Sequence, residues 1–152
     1  NIDHVSGGCQ LFRRACFEDI GGFTPIKVGG EDWIAVTSAR MSGWKTRTFQ
    51  DKNYQHLKPM GSGETSVLRA RFKTGYEDYL KGGHPLFEFF RAIYQAKSSP
   101  FLIGSLVMLS GFVVGLIVRP KRPFSIDLVH FHRKEQLIRL QHILRGKDYL
   151  IW

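Results

Sequence analysis

The feature that most constrains this chain is the run from Phe101 to Val118. It holds no charged residue and is bounded by Pro100 and Arg119. A helix needs about 20 apolar residues to cross a bilayer, and this run lies near the lower limit. It contains Gly104, Gly111 and Gly115. The last two have the small-xxx-small spacing that lets membrane helices approach closely, and a homodimer is one use of that spacing. Basic residues flank both ends: Arg91 and Lys97 before the run, Arg119, Lys121 and Arg122 after it. The positive-inside rule therefore gives no clear direction. Two topologies stay open, a single span and a re-entrant helical hairpin broken near Gly111 with both ends cytoplasmic.

The rest of the chain divides around this segment into residues 1–59, 60–99, 100–119 and 120–152. The first part reads as globular. His4 to Ser6 is a short strand candidate. Leu11 to Ile20 has the apolar spacing of a helix, with Leu11, Phe12, Ala15, Cys16 and Ile20 on one side. Gly21-Gly22 stops it. Glu31 to Met41 reads as a second helix with acids in its first turn, where the helix dipole favours them. Ser42-Gly43 ends it, and Trp44 to Phe49 alternates as a strand does. In residues 60–99, Gly61-Ser62-Gly63 is hinge-like, and Glu64 to Phe72 has helical character. Leu86, Phe87, Phe89, Phe90, Ile93 and Tyr94 then form an apolar stripe, with Glu88, Arg91 and Gln95 off it. That pattern fits an amphipathic helix lying at a membrane surface, or an ordinary core-facing helix. Residues 120–152 are basic. Asp127 to Leu144 reads as a helix, with Leu128, Phe131, Leu137, Leu140 and Leu144 on one side.

Lys and Arg number 22 against 13 Asp and Glu, a formal net charge of +9. Nucleic acid, anionic lipid or a phosphorylated substrate would each suit that balance. The basic residues do not form one run, whereas a nucleic-acid module more often clusters them on one face with base-stacking aromatics. They bracket the apolar run, which suits lipid headgroups. Nucleic acid is not an expected partner. Cys9 and Cys16 have no zinc spacing and read as free thiols in a reducing compartment. The sequence starts at Asn1, and by Val5 to Gly8 it already reads as the inside of a domain. The expectation is a piece of a larger protein.

One ordered set of motifs is more specific. Val5-Ser6-Gly7-Gly8-Cys9-Gln10-Leu11-Phe12-Arg13-Arg14 is followed by Phe17-Glu18-Asp19-Ile20-Gly21-Gly22-Phe23. Gly30-Glu31-Asp32-Trp33 comes next, and then Arg40-Met41-Ser42-Gly43-Trp44-Lys45. This order resembles the acceptor-side half of the family 2 glycosyltransferases: a Gly-rich strand end, an FRR helix, GGF, an ED pair, and a basic residue before GW. The resemblance implies an α/β fold, the C-terminal half of a GT-A nucleotide-sugar transferase domain followed by amphipathic and transmembrane helices. It also implies an inverting transfer from a nucleotide-sugar donor to a carbohydrate or lipid-linked acceptor, in cell-surface polysaccharide or glycolipid synthesis. The enzyme would be membrane-bound with its catalytic part cytoplasmic.

In an inverting transfer the acceptor hydroxyl attacks the anomeric carbon directly and must lose its proton as it does so. A positioned carboxylate can take that proton. The resemblance gives this role to Asp32, with Glu31 orienting the acceptor or holding Asp32's environment. Gly7 and Gly8 let backbone approach a bound sugar. Trp33, beside the acidic pair, is counted with the substrate-binding residues. Arg13 and Arg14 suit donor phosphates, or equally a solvated helix face. Arg69, Arg71 and Gly75 echo the Q-R-x-R-W-x-x-G of processive members, with Leu68 at the Gln and Phe72 at the Trp. Arg71 would meet the diphosphate, whose oxygens a guanidinium matches, or the acceptor, and Arg69 is counted with it as substrate-binding. His56 stands where metal-dependent members place a ligand for Mg or Mn, or is simply a polar residue at a strand end. That divalent ion would be held mainly by an N-terminal half, because the D-x-D signature is absent here. These residues alone are therefore not expected to turn over substrate. The alternative in another class is a non-catalytic membrane adaptor that binds anionic lipid through the basic flanks.

Overall fold

The computed structural model describes residues 5, 7–25, 30–49, 51–53, 55, 66–97 and 100–146. After a 3-10 turn at Gly7–Cys9, the helices are α1 (Arg14–Asp19), α2 (Glu31–Met41), α3 (Val67–Leu80), α4 (Pro85–Gln95), α5 (Phe101–Val118) and α6 (Ile126–Leu144). The chain forms two compact units. One is Asn1–Leu57 with Arg145–Trp152; the other is Lys58–Leu144.

The α/β expectation is overturned. The described residues are helical and include no strand, so they do not form part of a GT-A sheet. The strand candidate Trp44 to Phe49 does have two faces. Trp44, Thr46 and Thr48 are half-buried, while Lys45, Arg47 and Phe49 are exposed. Alternation of this kind records that one side of an extended segment is covered. It does not supply the neighbouring ladder that makes a sheet. The other candidate, at His4 and Ser6, lies outside the described residues.

In the first unit, α1 begins at Arg14 rather than Leu11. Arg13 is extended, and Leu11 is 94% exposed. The apolar packing comes instead from the rings of Phe12, Phe17 and Phe23, whose centroids lie 5.3–5.9 Å apart. The Gly22 N–H donates to the Phe17 carbonyl at 2.8 Å and closes the helix as the Gly pair implies. Helix α2 has the expected limits. Gly30 leads into it at φ 97°, a left-handed conformation that a side chain would strain. Ile34, Ala35, Val36, Thr37 and Ala39 are buried along it.

In the second unit, α3 runs on through Gly75 to Leu80. Glycine inside a helix costs about 1 kcal/mol relative to alanine. Here it allows backbone contact. A Cβ on Gly75 would strike the Met108 carbonyl of α5, and one on Gly111 would strike the Phe72 carbonyl of α3. A Cβ on Gly115 would meet the Tyr79 ring. The Gly111 and Gly115 seam is thus filled by α3 of the same chain. Arg71, Gly75 and Tyr79 meet Gly104, Met108 and Gly115 in that order, so α3 and α5 run side by side in the same direction. Tyr79, Leu80 and Phe112 form the core here, with Tyr76 against it.

Helix α6 and the segment before it pack against the α3–α4 turn. The Arg122 guanidinium lies 4.4 Å from the Tyr79 ring centroid and its Nε donates to the Tyr79 carbonyl. The Arg133 Nε donates to the Gly82 carbonyl at 2.9 Å, and Gln136 Oε1 accepts from the His84 N–H at 2.7 Å. The last two contacts give partners to the Gly82 carbonyl and the His84 N–H at the turn between α3 and α4.

Helix α5 is long and apolar enough to cross a membrane, and 33% of it is buried inside the protein. It continues unbroken through Gly111. The inward side of helix α4 holds Phe87, Glu88 and Ala92. Glu88 is 1% exposed, whereas Leu86, Phe89, Ile93 and Tyr94 are all about half exposed.

Candidate functional site at the start of helix α2

Asp32 occupies the first turn of α2, where the dipole favours a carboxylate. Its side chain rests on the Gly7–Cys9 turn. A Cβ built on Gly7 would overlap the Asp32 carboxylate. Gly7 is therefore the complement of Asp32, and no other residue leaves that space. Gln10 reinforces the pairing. Its amide nitrogen donates to the Val5 carbonyl at 3.1 Å and to the Asp32 carbonyl at 3.4 Å. Gln10 was given no role from sequence, although it lies inside the Gly-rich motif.

The site is open to solvent. Glu31, Gly7 and Gly8 are exposed, and Asp32 and Trp33 are half-buried. The Trp33 carbonyl accepts from the Thr37 hydroxyl at 2.7 Å, which holds the first turns of α2 together. A carboxylate on a helix N-terminus, over a turn without side chains at Gly7 and Gly8, can receive a hydroxyl-bearing molecule and accept its proton.

The two arginines of the FRR motif part company. The Arg14 Nε pairs with Glu18 Oε1 at 2.7 Å on the exposed face of α1. Exposed pairs of this spacing contribute about 0.3–0.5 kcal/mol. Arg13 instead borders a cleft of about 770 Å³, together with Phe12, Cys16, Val36, Ala39 and Trp44. Asp32 does not line this cleft. The cleft lies along the C-terminal half of α2 and the segment that follows, and Arg13, Lys45, Arg47 and Lys52 add basic side chains to its apolar wall. Within it, burial and then Asp19 push the Cys16 thiol up, away from the reactive thiolate.

Arg69 and Arg71 belong to the second unit. The Arg71 Nη1 donates to Gln95 Oε1 at 2.7 Å, which ties α3 to α4. Arg69 lines a shallow depression of about 330 Å³ with Phe72, Lys73 and Tyr76. His56 lies outside the described residues. Among the described residues no group of three or more His, Cys, Asp or Glu side chains could hold a metal ion. They do not themselves provide the divalent site that the resemblance implies.

The sequence reading missed a buried charged cluster in the second unit. Arg91 Nη1 donates to Asp78 Oδ2 and lies 3.4 Å from Glu88 Oε2. Glu88 Oε1 is buried without a hydrogen-bond partner. Burial, and then the neighbouring Asp78, push the Glu88 carboxyl up to about 7, against the opposing pull of Arg91. The only sequence signal was the spacing of Glu88 and Arg91 beside an apolar stripe, which reads equally as a solvated helix face.

Comparison with protein-family models, curated proteins and solved structures finds no match to this chain.

Proposed function

We propose that this chain supplies the acceptor-side chemistry of an inverting glycosyl transfer carried out at a membrane surface. The observation that carries the reading is the lodging of the Asp32 carboxylate against Gly7 at the start of α2. In the proposed step, an acceptor hydroxyl oxygen bonds to the anomeric carbon of the donor sugar. The bond from that carbon to the nucleotide diphosphate breaks, and the hydroxyl proton passes to Asp32. Glu31, adjacent and exposed, orients the acceptor. The D-x-D that would bind donor phosphates in such a transfer is not among these residues. The helical architecture bears no likeness to the GT-A sheet, so the proposal rests on the motif and the α2 site rather than on fold.

Membrane association supports the same reading. The α5 helix is of spanning length and composition, and α4 exposes Leu86, Phe89, Ile93 and Tyr94. Holding the site at a bilayer would raise the local concentration of a lipid-linked acceptor. The catalytic part then faces the cytoplasm, where nucleotide sugars are supplied.

The exposed apolar faces also favour a second reading, a membrane adaptor with no catalysis. Transfer assays on the full-length protein in membranes separate the two. Radiolabelled nucleotide sugars are offered one at a time, and label is followed into the lipid-extractable fraction. The transferase reading predicts incorporation from at least one donor that Asp32→Asn loses. Vesicle binding with no incorporation from any donor would leave the adaptor.

A further inference from the structure

We propose that the α3–α6 unit sits in a single leaflet, with α5 lying in the membrane plane rather than crossing the bilayer. The proposal rests on the membrane association argued above and goes beyond it to the topology.

Helix α3 decides the matter. It lies along α5 from Gly104 to Gly115 in backbone contact, so wherever α5 goes, α3 goes at the same depth. That stretch of α3 carries Arg71, Lys73, Glu77 and Asp78, and Lys73 is exposed. If α5 stood across the bilayer, Gly75 would lie near its midpoint and these charges would fall within the hydrocarbon. Glu88 and Arg91, packed with Asp78, would follow them. A charged side chain at the centre of a spanning helix costs roughly 2.5–3.5 kcal/mol even on the mildest scale. An uncharged helix fastened to one with four charged residues along its contact stretch is a poor spanning pair.

Turned into the membrane plane, the same unit separates its surfaces. Leu102, Leu106, Val113 and Ile117 share one stripe of α5, and all four are exposed. Gly104, Met108, Gly111 and Gly115 occupy the opposite side against the protein. Helix α4 packs on α5 and also turns apolar side chains outward while enclosing Glu88. Helices of this kind settle about 5–10 Å into the headgroup and acyl boundary. Lys97, Arg119 and Lys121 are exposed at the two ends of α5, which suits anionic headgroups at one level. The basic residues at both ends, which defeat the positive-inside rule for a span, are what a helix with both ends on the cytoplasmic side requires.

The test uses full-length protein with Cys9→Ser and Cys16→Ala, added to preformed sealed vesicles of phosphatidylethanolamine and phosphatidylglycerol. Lys97→Cys and Lys121→Cys variants are labelled with a membrane-impermeant maleimide before and after the vesicles are opened. Spin labels at positions 102, 106, 113 and 117 report depth. The expected result is full labelling of both cysteines on intact vesicles and one shallow depth at all four positions. Protection of one cysteine until the vesicles are opened would overturn the one-leaflet topology and leave membrane association standing. A depth profile deepest at 106 and 113 would overturn it too. Protein that remains unbound overturns both topology and association.

Discussion

Gly7 leaves the space that the Asp32 carboxylate fills, and this fit fixes the acid at the start of α2. Gly7→Ala should displace the carboxylate without touching the buried side of α2. Misplacing a catalytic group by about 1 Å can cost roughly 10²-fold in rate. The expected outcome is a loss of that order in transfer with an unfolding temperature close to wild type. Unchanged transfer would mean that the fit has no catalytic use.

Gly75 and Gly111 hold α3 and α5 at backbone contact, so a single methyl at either position has nowhere to go. Overpacking of this kind costs about 1–3 kcal/mol. Gly75→Ala and Gly111→Ala should each lower stability by that amount in denaturant titrations. The gain in helix propensity at these sites, about 1 kcal/mol, should be outweighed. An alanine at Gly75 that stabilises would refute the close approach.

The raised carboxyl of Glu88 predicts a pH dependence of definite sign. Its folded value is about 7, against 4.5 for an unperturbed glutamate. Between those values the folded protein holds a proton that the unfolded chain has released. Stability is therefore fully present below the lower value and is lost as pH rises through the higher one. The span corresponds to about 3 kcal/mol at most. Glu88→Gln should gain stability relative to wild type between about pH 5 and pH 8. Thermal unfolding of both proteins across that range checks it, and parallel curves would contradict it.

The parts legible in sequence were those whose signals are local. The limits of α2 and α5 were readable because Gly30, Ser42, Pro100 and Arg119 punctuate them. The end of α1 was readable from Gly21 and Gly22. What escaped depended on partners far along the chain. Gly75 read as a helix weakness until Met108 lay beneath it. Glu88 and Arg91 read as a wet face, since nothing local says that Asp78 will meet them. The period-two pattern of Trp44 to Phe49 read as a strand, but sheet membership belongs to a neighbour. In the candidate site, Asp32 and Gly7 were both named, while the anchoring amide of Gln10 was not.

The most direct test of the central claim is the transfer rate of the full-length protein with Asp32→Asn against wild type, with donor binding measured in parallel. The amide keeps the shape against Gly7 and removes the base. General base catalysis is worth about 10²–10⁴-fold. Transfer should fall within that range with donor affinity unchanged. Wild-type transfer by the Asp32→Asn protein would contradict the base role of Asp32.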